Sequence, residues 1–243
     1  QMAGRAGRRG IDTEGFVYCR INLQRIRLDE VKRVIYGKPE EVRSQLNASY
    51  ATILNLYEKY KDDLFKVYPL SFHYFQSHKN DQKEALRIIE AKLRLLKDWG
   101  YIDNSSLTQK GQFAKSVYGY ELILSELYDR QVLEQLDEFG LGIVAVATVF
   151  EPRKNQRLPS SLSKNARQIK RTCEEIYDEI KHKEEKLRIY SFSKLPYFHM
   201  SSCMEAWLRG TTFDKTLRFS DTDEGEVVRY FRMSVQILRE IQD

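Results

Sequence analysis

Beyond its opening segment, the chain is dominated by apolar residues at helical spacing. Leu46, Tyr50, Ile53 and Tyr57 recur every three or four positions and predict a helix over about residues 41–60. Ala85, Ile88, Ile89, Leu96 and Trp99 predict a second helix, which Gly100 ends. Residues 101–108 read as two short extended pieces around a polar turn. From Gln109 onward the spacing is helical again, in segments near 111–130, 132–150, 164–189, 201–209, 213–219 and 223–242. Residues 151–163, carrying Pro152 and Pro159, are the clearest internal loop. Residues 15–19, a short apolar run bounded by glycine, predict the one good strand, buried in a sheet. The expected fold class is mainly α, and helices followed by a small hairpin are the layout of a winged helix. There is no internal repeat and no low-complexity tract.

Composition narrows this picture modestly. A length of 243 residues suits one large domain or two to three small ones. A 42% hydrophobic and 31% charged content describes a folded chain with well-solvated helices. Its net charge of +5 favours anionic partners. The longest apolar stretch, residues 141–150, is too short for a membrane span, so no membrane partner is expected. Gln1 is neither an initiator Met nor the head of a signal peptide, so we expect a piece of a longer protein. Cys19, Cys173 and Cys203 lie far apart in no ligand spacing, which predicts free thiols and a cytoplasmic location. His73 and His78 lack nearby ligand partners in sequence, and no metal site is expected.

The first ten residues carry the sharpest chemistry. Arg5 and Arg8 stand among Gly4, Gly7 and Gly10. Glycine lets a backbone approach a ligand closely, and guanidinium forks bind phosphate oxygens in pairs. Composition alone also suits a flexible basic loop or an RGG-like tail, the lesser account. The full string Gln1-x-x-Gly4-Arg5-x-Gly7-Arg8, however, resembles motif VI of superfamily 2 helicases. That resemblance implies a position on the second RecA-like domain, facing ATP bound to the first. It assigns Gln1 to the nucleotide region and Arg5 and Arg8 to the γ-phosphate, with Arg8 as the arginine finger.

The resemblance extends along the chain. Gly7-Arg8-Arg9-Gly10-Ile11-Asp12 is similar to the Ski2-like branch of RNA helicases, whereas the related Hel308-type DNA helicases usually carry Pro where Arg9 stands. Ser44-Gln45-Leu46, Tyr50, Ile53-Leu54-Asn55-Leu56 and Ser71-Phe72 resemble the entry to that family's winged helix. Trp99-Gly100-Tyr101-Ile102 and Leu107-Thr108-Gln109-Lys110-Gly111 resemble its wing. Glu121 to Leu127, Phe150-Glu151-Pro152-Arg153, Trp207 to Phe213 and Glu224 to Arg232 resemble the helical bundle that follows. The implied organisation is the tail of a RecA-like α/β domain over 1–36, a winged helix over 37–110 and a C-terminal helical bundle over 111–243. Two departures stand out. About 25 residues separate Phe75 from Gly100, leaving no room for the arch insertion of eukaryotic members, and Met233 stands where a second arginine often follows Arg232.

The implied function is that of an ATP-dependent RNA helicase moving 3′→5′ on a single-stranded 3′ tail, with ATP and Mg²⁺ serving the full-length protein. No P-loop string occurs, and Asp178 to His182 only approximates a DExH box within a charged helix. We therefore expect this chain alone to hydrolyse no ATP, to bind no nucleotide tightly and to work with upstream RecA-like domains. For RNA, two stretches qualify. Arg153, Lys154, Arg157, Lys164, Arg167, Lys170 and Arg171 form either a solvated surface or a backbone-tracking one. In the last helix Asp223 and Glu226 suit a capping box, and Val228, Phe231, Val235 and Leu238 are expected to pack. Arg229, Arg232, Gln236 and Arg239 then form the neighbouring stripe, and the family's ratchet helix makes Arg232 and Gln236 the foremost RNA contacts. Trp207 and Phe213 are expected mainly in the core, with base stacking as the other account. The rival readings are a Hel308-type DNA helicase and a non-catalytic winged-helix and helical binding module.

Overall fold

The computed structural model describes residues 6–8, 10–22, 24–37, 44, 48–154, 156 and 161–242. The chain divides into two compact units, Gln1–Arg43 and Ser44–Asp243.

In the first unit, α1 (Leu28–Tyr36) is the one regular element among the described residues, and none of its residues is buried. The expected strand over residues 15–19 does not form: Phe16 is 73% and Tyr18 92% exposed. An apolar run becomes a strand only where neighbouring strands pair its backbone, and the described residues of this unit supply none. What residue 15 does provide is close approach. A Cβ on Gly15 would lie 2.5 Å from the Ala6 carbonyl oxygen.

The second unit is helical apart from one hairpin. It opens with α2 (Tyr50–Tyr60), α3 (Leu64–Val67), α4 (Phe72–Gln76) and α5 (Lys79–Asp98). Ser49 caps α2 by accepting the Thr52 N–H, so the helix starts later than its apolar spacing predicts. Gly100, at φ +76°, closes α5 as expected. β1 (Ile102–Asp103) and β2 (Ser106–Leu107) pair antiparallel, with Asn104 and Ser105 both at positive φ in the turn.

The predicted helix over 111–130 is in fact two, α6 (Gln109–Ser116) and α7 (Glu121–Asp129). The chain turns between them through Gly119 at φ +96°. Beyond its exposed first residue, Glu138, α8 (Glu138–Val149) is almost wholly apolar, and it is buried from Gly142 to Val149, flanked by α9 (Lys164–Lys186), α10 (Ser201–Leu208) and α12 (Glu224–Gln242). Between α10 and α12 lies the short α11 (Phe213–Thr216), continued by a 3₁₀ turn at Leu217–Phe219.

One continuous core runs through the unit, from Tyr50 and Leu54 through Leu96, Tyr101 and Leu124 to Val146, Ile176, Cys203 and Val227. A largely buried polar knot ties Tyr101, just before the hairpin, and Lys110 of α6 to α7. Lys110 Nζ lies 2.5 Å from Glu126 and 3.2 Å from Asp129, and the Tyr101 hydroxyl donates to Glu126 at 2.9 Å. Burial pushes the Cys173 thiol up to about 12 and that of Cys203 to about 11, so neither is a reactive thiolate near neutral pH.

Candidate nucleic-acid interface

α12 is the element on which the expected contacts converge. Acidic Glu224 and Glu226 in its first turn and basic Arg239 in its last suit the helix dipole. Its packing face differs from the expected one. Val228 and Val235 are 44% and 49% exposed, while Val227, Tyr230, Ser234 and Ile237 are buried. Phe231 and Leu238 do pack against the core, as expected. Both faces obey three-and-four spacing, and a rotation of one residue separates them. The decisive side chains are amphipathic. Tyr230 lays its ring against Phe150, 4.8 Å between centroids, and donates its hydroxyl to the Glu151 carbonyl at 3.3 Å. Ser234 satisfies its own hydroxyl on the Tyr230 carbonyl at 2.9 Å.

The polar stripe is not uniform. Arg229 is held by Glu226 through two hydrogen bonds of 3.1 and 2.7 Å and lies 4.5 Å over the Tyr230 ring. Gln236 donates to Glu240 at 3.1 Å. Arg232 and Arg239 are exposed and have no carboxylate partner among the described residues. Among the described residues they are the two cations of this face left without a carboxylate.

The basic stretch before and within α9 sorts in the same way. Arg153 reaches Asp223 at 2.6 Å, so that carboxylate is engaged beyond its own helix, and this pairing raises the arginine's affinity for its proton. Gln156 ties the same loop to Asp221 and Thr222, at 2.7 and 2.9 Å. Lys170 and Arg171 are matched by Glu174 and Glu175 one turn later. Lys154, Lys164 and Arg167 remain exposed, without a carboxylate partner among the described residues. Arg157 lies outside the described residues.

Of the opening motif, Gln1 and Arg5 also lie outside the described residues. The Arg8 side chain is 73% exposed and clasps Asp12 through Nε and Nη2 at 3.1 and 3.3 Å. This pairing holds the Asp12 carboxyl below the usual carboxylate range. The fork is thus accessible and already binds an oxyanion, a donor set that fits a phosphate oxygen in place of Asp12.

Trp207 departs from the expected core position. It is 45% exposed, with its ring 6.2 Å from that of Phe213 and 5.8 Å from that of Phe231. Its place beside α12 was not legible without the rotation of that helix. His73 is engaged by the Tyr68 hydroxyl at 2.7 Å. Among the described residues no group of three or more His, Cys, Asp or Glu is placed to hold a metal, and no helix is long and apolar enough to cross a membrane.

Comparison with known proteins gives these surfaces a setting. The family model of the DSHCT (NUC185) domain matches residues 104–243. The chain is similar to the antiviral helicase SKI2 of Saccharomyces cerevisiae, 26% identical over 167 residues, covering 63% of this chain and 12% of that protein. It is also similar to human Superkiller complex protein 2, 29% identical over 168 residues, covering 67% of this chain and 13% of that protein. A DExH-box ATP-dependent RNA helicase of Arabidopsis thaliana is 35% identical over 108 residues, covering 44% of this chain and 10% of that protein. The chain therefore spans about an eighth of the length of the first two relatives.

Proposed function

Because this chain belongs to the DSHCT (NUC185) domain family, we propose that it is the C-terminal part of a Ski2-type, ATP-dependent RNA helicase of the cytoplasm. In this reading residues 1–36 close the second RecA-like domain, 37–110 form a winged helix around α2, α5 and the hairpin, and 111–243 form the helical bundle. The observation that carries it is the exposed side of α12, where Arg232 and Arg239 stand without carboxylate partners among the described residues. Guanidinium groups free of internal partners are available for phosphates, and the buried side of the same helix fixes their position on the core. Single-stranded RNA runs along this side, with Gln236 as a neutral contact and Arg229 held back by Glu226.

ATP with Mg²⁺ supplies the driving free energy when bound to the upstream domains. This chain's own contribution there is the Arg8 fork, with Arg5 and Gln1 beside it in sequence, exchanging Asp12 for a phosphate oxygen. The P-loop and acidic Mg²⁺ motif belong to the upstream part, so this chain alone turns over no ATP.

The test is unwinding of matched RNA and DNA duplexes with 3′ overhangs by the full-length protein. We expect RNA to be unwound in preference to DNA. Arg232→Gln should weaken single-stranded RNA binding by about tenfold or more, the worth of a lost charge-assisted hydrogen bond. Equal or better unwinding of DNA would replace this reading with the Hel308-type one. Unchanged RNA affinity in the variant would remove α12 from the RNA path.

A further inference from the structure

A tryptophan that is nearly half exposed requires a reason, and the neighbours of Trp207 supply one. Its ring is held on two sides, edge-on to Phe213 at 86° and tilted at 47° to Phe231. The helix that carries it is seated tightly on α8. A Cβ on Gly142 would lie 2.7 Å from Leu208 and 3.2 Å from Met204. Trp207 is therefore rigidly placed, yet 45% of it stays open to solvent.

Phe231 links this ring to the exposed side of α12. At about 100° per residue, Phe231 is followed around the helix by Val235, Val228, Arg239 and Arg232, in that order. The surface beside Trp207 thus passes from aromatic to aliphatic to guanidinium. Val228 and Val235 are 44% and 49% exposed, and the two arginines lack carboxylate partners among the described residues. A purely charged strip would be an ordinary solvated face, and a purely apolar one would suit another protein. Open aromatic and aliphatic surface bordered by free cations complements a chain that carries flat apolar faces and one negative charge per step. Single-stranded nucleic acid is such a chain.

We propose that Trp207 is a base-stacking residue: a nucleobase of single-stranded RNA lies on its ring, with Val228 and Val235 beside it, while Arg232 and Arg239 take adjoining phosphates. The proposal rests on the reading that α12 contacts RNA and adds to it a sequence-tolerant grip on bases.

The full chain is titrated with a short oligoadenylate, and with a strand of equal length whose residues are abasic, while tryptophan emission is followed. The sequence holds two tryptophans. The other, Trp99, lies between Lys110 and Lys183, at 5.2 and 4.6 Å from their ammonium groups. Oligoadenylate should quench the wild-type emission, and most of that change should vanish in Trp207→Phe. Trp207→Ala should weaken oligoadenylate binding about 5- to 150-fold, with Trp207→Phe far milder and abasic affinity unchanged in both. Quenching that persists in Trp207→Phe, or an oligoadenylate affinity indifferent to Trp207→Ala, overturns stacking and leaves the strip to a protein contact. If Trp207→Ala fails to fold by circular dichroism, the quenching comparison between wild type and Trp207→Phe decides. A wild-type chain that binds neither strand defeats the α12 reading itself. One that binds both, with the Trp207 variants behaving alike, defeats stacking only.

Discussion

Gly111 sits inside α6, where glycine costs up to about 1 kcal/mol relative to alanine and sequence alone offers no reason for it. The reason lies across the hairpin. A Cβ at this position would stand 2.1 Å from the Tyr101 carbonyl oxygen and 3.1 Å from its carbon, both main-chain atoms. No rotamer change relieves such a contact. Tyr101 cannot retreat either, being fully buried with its hydroxyl bonded to Ser125 and Glu126. Gly111→Ala should therefore destabilise the protein by about 3 kcal/mol or more, through backbone strain rather than lost burial. At this chain length that corresponds to a melting temperature lowered by roughly 6–12 °C. Gly225→Ala is the internal control: nothing lies within 4 Å of its Cβ, in the first turn of α12, and no loss of stability is expected. Equal melting temperatures for the two variants would refute the close-contact account.

At the scale of elements, α9 is joined to α2 and to the loop after it through one carboxylate. Glu184 is fully buried and accepts from the Tyr50 hydroxyl at 2.8 Å, the Ser193 N–H at 3.0 Å and the Ser193 hydroxyl at 2.8 Å. Burial pushes its pKa up, and the bonds from Ser193 and Tyr50 with the nearby Lys92 ammonium only partly oppose it. A raised folded-state value means that protonation favours the fold. The stability this group contributes is complete below the ordinary carboxylate value of 4.5 and is lost as the pH rises through the raised one. Melting curves of wild type and Glu184→Gln should therefore diverge as the pH is raised from about 4 to 7, the variant gaining relative to wild type. A gap that closes with rising pH would mean that the hydrogen bonds and Lys92 outweigh burial.

Element assignment was largely legible, because helical periodicity records which residues meet a core. Its limits are equally physical. In α12 two faces one residue apart satisfied the same spacing, and hydrophobicity chose Val228 and Val235 over the correct Tyr230 and Ser234. Tyrosine and serine are suitable for burial only once hydroxyl acceptors are known, and these come from Glu151 and from the helix itself. The break at Gly119 was hidden by apolar residues that continue in phase on both sides.

For the whole molecule, a net charge of +5 says less about RNA than the pairing of its charges does. Read linearly, the seven cations between Pro152 and Cys173 have no acid among them. In the folded chain Asp223, Glu174 and Glu175 answer Arg153, Lys170 and Arg171. Counterion release counts phosphates neutralised by available cations, and each contact on a single strand contributes a slope of about 0.7 to the dependence of log affinity on log salt. Lys154, Lys164 and Arg167, exposed and without carboxylate partners among the described residues, should carry that dependence for this surface. Replacing all three with glutamine should flatten the salt slope for single-stranded RNA by up to about 2 and weaken binding most at low salt. Replacing Lys170 and Arg171 should change the slope much less, because each must first leave its glutamate. Titrations of both variants across a salt series separate the cases, and identical slopes would show that linear charge, not folded pairing, sets the electrostatics of this surface.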